Sequence, residues 1–197
     1  MDIEDAIRHR RTHKVYGGGA ISREVLEALI NAATWAPNHR YTEPWRFYVV
    51  HGADKLAAMD RHVQAAFDAS AKDAGEGVGR KLIAKKHKMT ARLAATAAVV
   101  VVTWTRTPDD QAADREDYAA TACAIQNLLL SAHGRGYASL WSTGKMLMQP
   151  ALLEFYGVPG EATDRPESVA GVIFLGSPTG ELTGRRHRTA QAVTTWV

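Results

Sequence analysis

Residues 97–104 read Ala-Ala-Val-Val-Val-Val-Thr-Trp, and this run decides the fold. Four consecutive valines carry no polar alternation, so a strand here has no face to offer water and must be covered on both sides. β-Branched side chains restrict χ1 and favour the extended chain over a helix. The segment is therefore expected to be a central strand. Moving upstream, Arg80 to Arg92 carries six Lys or Arg and no acid, which reads either as a solvated helix face or as a basic rim for an anionic ligand. Residues 71–80, with Gly75, Gly77 and Gly79 among charges, read as a loop. Leu56, Met59, Val63 and Phe67 sit at helical spacing in a helix opening near Asp54. Before it, Trp45 to Val50 is aromatic and β-branched and reads as another strand.

The N-terminal third holds two helices. Ile3, Ala6, Ile7 and Arg10 sit at helical spacing in a first helix that ends around the basic cluster Arg8 to Lys14, and Gly17-Gly18-Gly19 breaks the chain. Ser22 is a good N-cap for a second helix with Leu26, Leu29, Ile30 and Ala33 on one face, closed by Pro37. Downstream of the valines, Thr105 to Arg115 is polar and reads as a loop. A long helix from about Glu116 to His133 follows, small and apolar on the side of Ala119, Ala122, Cys123, Gln126 and Leu130. Gly134 and Gly136 stop that helix, Tyr137 to Trp141 is a strand, Pro150 to Tyr156 a short helix, and Val169 to Leu175 a further buried strand. Thr179 to Val197 has no core of its own and is expected to wrap over this domain or over a partner chain. This alternation of helices and strands, with no repeat or interior linker, reads as one α/β-type domain with a C-terminal arm over 1–197.

Composition narrows the classes. The chain has 197 residues, 46% hydrophobic and 23% charged, with a formal net charge of +3; these are the proportions of a globular protein. So small an excess of positive charge is a weak signal for nucleic acid. Cys123 is the only cysteine, which excludes an intrachain disulfide and a cysteine-based zinc site. The start, Met1-Asp2-Ile3-Glu4-Asp5, lacks the basic and apolar regions of a signal peptide, and no apolar run approaches the ~20 residues that span a bilayer. A cytoplasmic protein with no membrane partner is expected.

Among catalytic motifs, neither a Walker-type phosphate loop nor a Gly-x-Ser-x-Gly elbow is present. His9, His13, His87 and His187 lie among Arg and Lys, so no metal site is expected. Gly134-Arg135-Gly136 follows a helix rather than a strand and reads as a helix stop. Three segments carry more. Arg10-Arg11-Thr12-His13-Lys14 either complements the helix dipole or, through Arg forks and a hydroxyl, grips a phosphate or a flavin edge. Ala36-Pro37-Asn38-His39-Arg40-Tyr41-Thr42-Glu43-Pro44-Trp45-Arg46-Phe47 brackets polar residues between prolines before a strand. Leu140-Trp141-Ser142-Thr143-Gly144 puts small hydroxyls at a strand end, where ligands gather or the chain simply turns.

Together the three segments, with the long helix carrying Gln126-Asn127 and the strand exit Leu175-Gly176-x-Pro178, resemble the nitroreductase family of FMN-dependent oxidoreductases, and the Pro37-Asn38-His39 version is similar to its compact bacterial members. The resemblance spans nearly the whole chain. It implies an α+β fold, with a central, mostly antiparallel sheet flanked by helices and a C-terminal arm (about 179–197) exchanged in a homodimer. It implies FMN as cofactor and NAD(P)H as co-substrate, reducing nitroaromatic, quinone or similar electrophilic acceptors by a ping-pong mechanism. No catalytic side chain is required, because flavin N5 carries the hydride.

By the same resemblance Arg10, Arg11, Thr12 and Lys14 contact the FMN phosphate, ribityl or pyrimidine edge. Arg10 or Lys14 supplies positive charge near flavin N1. Trp35 and His39 approach from a helix and a loop, His39 toward the flavin of the other subunit. Trp141, Ser142 and Thr143 line the flavin, and Arg186 or Arg188 completes the phosphate site. Tyr41 shapes the acceptor pocket, and Ser131, Ala132, His133, Gly134, Arg135 and Gly136 match a stretch associated with the nicotinamide nucleotide. The chain departs from the family at Lys14, where a third Arg is common, and at Ser142, where an Arg follows the Trp. Other flavin reactions on the same fold (dehydrogenation, dehalogenation) and, in a different class, a cofactor-free basic module for nucleic acid or another ligand are the competing readings.

Overall fold

The computed structural model describes residues 2–159, 163–184 and 187–197. The valine run lies in strand β2 (Ala98–Thr105), which pairs antiparallel with β1 (Trp45–His51) on one side and β4 (Glu167–Gly176) on the other; β3 (Ala138–Ser142) closes the sheet against β4. The order β1-β2-β4-β3 puts the two valine-rich strands in the middle. Val99 and Val101 pack with Met59, Val63, Phe67 and Phe174 on one face, and Val100 and Val102 with Leu29, Ile125, Leu128 and Ile173 on the other. The period-two geometry of a strand sends alternate valines into two separate cores, which is why an unbroken apolar run is needed here.

Helices cover both faces. α1 (Ile3–His9), α2 (Arg23–Thr34) and the long α5 (Gln111–Gly134) lie on one side; α3 (Ala53–Lys72), α4 (Glu76–Ala94) and α6 (Pro150–Tyr156) lie on the other. Ser22 caps α2 by accepting from the Val25 N–H, as its residue type dictates. The α/β-type reading is corrected by the ladder: every strand pair is antiparallel, so the architecture is α+β, as the family resemblance implied.

Two local readings are also corrected. Residues 71–80 are mostly helical: α3 runs to Lys72, α4 starts at Glu76, and only three residues join them. The glycines do not break α4, because Leu82, Met89 and Leu93 pack its apolar stripe against the second core. Lys86 Nζ also reaches both carboxylate oxygens of Asp68 on α3 at 2.7 Å. The polar loop after β2 is shorter than expected, since Asp110 caps α5 by accepting from Ala112 and Ala113 N–H. Asp114 then accepts from Arg106 Nε at 2.8 Å, Trp104 Nε1 and Thr107 N, which ties the start of α5 to the end of β2. The Arg106 bond holds the Asp114 carboxyl below the usual carboxylate range.

The side of α5 that packs is a different one from its small apolar side. Asp117, Ala120, Ala124, Ile125, Leu128 and Ala132 are turned to the core, whereas Ala119, Cys123 and Gln126 are exposed and Ala122 and Leu130 half-buried. Past Gly176 the chain leaves the sheet. Its described residues from 179 onward hold only a short 3-10 turn, Gln191–Val193, and expose Leu182, Val193 and Trp196.

Candidate cofactor and substrate site

β3 is an edge strand, and its outer edge is taken by the segment that follows α1. His13 N–H donates to Ser139 O at 3.0 Å, and Thr12 bridges Ser139 in parallel. This pairing fixes the basic cluster at the start of β3, with Arg10 and Arg11 half-buried and Thr12 and Lys14 exposed. Arg11 Nη1 donates to Arg10 O at 2.8 Å, but its Nε is buried with no hydrogen-bond partner among the described residues. Neither arginine has a carboxylate within ion-pair distance among the described residues.

Two cavities flank Arg11. One, of about 650 Å³, is lined by Arg8, Arg10, Thr12, Thr183 and Gly184. The other, of about 780 Å³, holds His9, His13, His133, Tyr137 and Glu181. Burial, and after it the charge of Arg11, pulls the Arg10 guanidinium down from its ordinary pKa. Burial and then Arg10 do the same to His13 and His133, favouring neutral imidazoles. His133 Nε2 is likewise buried without a partner among the described residues. Unpaired cations and an unused buried donor at one place form an environment that an anion with several acceptor oxygens relieves. His133 lies in the predicted stretch Ser131 to Gly136, which is the last turn of α5 and its exit, so this stretch and the Arg10–Lys14 segment converge.

The other end of β3, about 10 Å away at strand rise, carries Trp141, Ser142 and Thr143. The β2–β4 register shifts between Val102 and Thr103, passing from Gly171 to Val169 and leaving Ala170 as the extra residue. Trp141 Nε1 donates to Ala170 O at 3.1 Å. Its indole lies so close over Gly171 that a Cβ there would meet Nε1 at 2.0 Å. Bulge and glycine together set the indole. Ser142 Oγ accepts from Gly144 N–H at 3.4 Å, shaping the turn into Lys145.

One further residue joins the site. Arg92, at the end of α4, donates from Nε to Lys14 O at 3.1 Å and stands over the Phe174 ring at 5.6 Å. Sequence reading put it in the basic stretch 80–92 but not among the ligand contacts; its i, i+3, i+7 relation to Lys88 and Lys85 was the available signal.

Trp35, His39 and Tyr41 are not brought to this cluster. Trp35 is the C-cap of α2 and 81% exposed, and Tyr41 is 91% exposed. His39 and Tyr41 form a 3-10 turn held to the first half of α5 by Thr42 Oγ1 donating to Asp117 at 2.6 Å. Arg40, Tyr41 and Glu43 have positive φ, so this turn is strained. Asp117 and His133 are sixteen residues apart on α5, about 24 Å at helical rise. Within one chain the two sets stand at opposite ends of that helix. Arg188 is exposed on the tail; Arg186 lies outside the described residues.

Among the described residues no helix is long and apolar enough to cross a membrane. The sequence profile of the Nitroreductase family matches residues 7–177. A Bacillus subtilis protein named provisionally as an NAD(P)H nitroreductase is 28% identical over 176 residues, 89% of this chain and 84% of its own length. The crystal structure of a nitroreductase-like family protein from Bacillus cereus superposes with a TM-score of 0.82 at 25% identity, covering 100% of this chain and 96% of the other. A nitroreductase with bound FMN from Bacteroides fragilis superposes with a TM-score of 0.74 at 24% identity, each chain covered in full (100%).

Proposed function

This chain belongs to the nitroreductase family, and from that premise we propose that it is an FMN-dependent oxidoreductase that takes hydride from NAD(P)H and reduces nitroaromatic or quinone-like acceptors. The observation that carries the reading is the Arg10–Arg11 pair at the start of β3, which has no carboxylate within ion-pair distance and a buried Arg11 Nε without a hydrogen-bond partner among the described residues. That donor set fits the phosphate-bearing end of FMN: forks and a hydroxyl suit phosphate oxygens, and the half-buried position keeps water from competing.

On this reading Arg10, Arg11 and Thr12 hold the phosphate and ribityl end, and a tail arginine, Arg188 or Arg186, completes the phosphate site. Lys14 and Arg92 hold positive charge at the other edge, and Trp141, Ser142 and Thr143 line the ring system from the strand end. Preorganised charge of this kind stabilises developing negative charge better than mobile water does. Bound FMN supplies the two-electron chemistry: a nitro group takes two electrons and two protons to give a nitroso group and water, NAD(P)H providing hydride and solvent the second proton. The His133 stretch and Tyr41 are proposed to meet the nucleotide and the acceptor, respectively.

The reading is tested by the absorption spectrum of the purified protein and anaerobic NADPH addition. Flavin bands near about 370 and 450 nm that bleach on addition are expected of bound flavin, whose chemistry is the cofactor's own. A colourless protein that takes up no added FMN sinks the proposal.

We further propose a homodimer in which Trp35, His39 and Tyr41 of one chain complete the site of the other. The exposed aromatics at those positions and the exposed small side of α5 support it, since large apolar groups left at a surface mark a contact. Ala119→Arg is expected to halve the mass seen by light scattering and to weaken FMN binding in parallel. A dimeric variant with normal flavin content refutes the shared site.

A further inference from the structure

A third cavity, of about 450 Å³, opens between α4 and the turn after β3. Its floor is apolar, built by Phe67, Met89 and Leu147, and its rim carries Lys85, Lys88 and Arg92 of α4 and Lys145 of the turn. Lys85, Lys88 and Arg92 fall on one helix face by spacing. Among the described residues no acidic side chain lines the cavity. Elsewhere on α4, Lys86 is paired with Asp68 and Arg80 with Glu76. The rim cations have no carboxylate within ion-pair distance among the described residues.

Position ties this cavity to the site above. Gly144, on its lining, follows Trp141-Ser142-Thr143, and Arg92 reaches Lys14 O. We propose that the cavity is the acceptor subsite of the enzyme and selects a planar apolar molecule bearing a carboxylate or sulfonate, with Lys85 and Lys88 receiving the anion; this rests on the flavin reading. The floor favours an aromatic ring over a hydrophilic sugar phosphate, which argues against the 2′-phosphate of NADPH as occupant. Flexible lysine point charges, unlike the arginine forks at β3, accept an anion at several positions on a ring. Exposed charges are screened, so the preference weakens as salt rises.

The test uses flavin-loaded protein with NADH as donor and compares kcat/KM for 4-nitrobenzoate and nitrobenzene. Lys85→Gln/Lys88→Gln is expected to lower that ratio about tenfold, the sum of two screened ion pairs. Lys85→Arg/Lys88→Arg retains the ratio, as does Lys81→Gln, which lies off the cavity. Calorimetric titration of the oxidised protein with benzoate, which is not reduced, reports weaker binding in the Gln double variant. A ratio unchanged in that variant overturns the subsite. So does a changed KM for NADPH relative to NADH with the ratio intact, which assigns the anion to the nucleotide. A wild-type protein that binds no flavin sinks the flavin reading and this inference with it, whereas flavin-loaded protein with unchanged ratios sinks this inference alone.

Discussion

Gly171→Ala is expected to destabilise the fold by about 1–3 kcal/mol, the usual cost of forcing one extra methyl into a packed site, and to loosen flavin binding at the same time. The cause is local. An alanine Cβ would stand 2.0 Å from Trp141 Nε1 and 2.4 Å from Cδ1, so the indole must move. Its hydrogen bond to Ala170 O at 3.1 Å depends on a carbonyl placed by the bulge, and a tilted ring loses it. Because Trp141 is proposed to line the flavin, one substitution on β4 reaches the site through a single side chain. Urea unfolding with and without FMN measures both effects. In a Trp141→Phe background the smaller ring is expected to reduce the cost of Gly171→Ala, so the two changes are non-additive. Full additivity, or normal stability of the single variant, refutes the coupling.

That coupling was only partly legible in the sequence. The four valines announced a strand covered on both faces, and alternate residues do enter two cores. Trp141 was recognised at a strand end, but its partners on β4 follow from strand pairing and a bulge, which local sequence does not encode. The α4 start was misread because Gly75, Gly77 and Gly79 weigh against a helix locally, while the packing of Leu82 and Leu93 that overrides them is tertiary. On α5, apolar residues run round the whole helix, so periodicity selects no face: Ala119 and Cys123 looked as suitable as Ala120 and Ala124. The Arg10–Lys14 cluster was legible because it is contiguous. Arg92 was not, since its bond to Lys14 joins residues 78 apart in the chain.

The cation cluster also yields the second large effect. Arg10→Ala is expected to weaken FMN binding by about 10- to 150-fold, the loss of a charged hydrogen bond worth about 1.5–3 kcal/mol. The flavin-free protein responds in the opposite sense or not at all. Arg10 lies half-buried next to Arg11 without a carboxylate partner among the described residues, and both its burial and its neighbour disfavour its charge. Removing it therefore relieves repulsion and desolvation that only a bound anion offsets. Thermal unfolding separates the two states: FMN raises the midpoint of the wild type strongly and that of the variant weakly, by the linkage between ligand affinity and stability, while the midpoints without FMN stay equal or favour the variant. A structural arginine gives the reverse pattern, a lower midpoint without FMN and an unchanged FMN affinity. That outcome would return Arg10 to the role of a helix-terminus charge and leave Arg11, Thr12 and Lys14 to account for the anion.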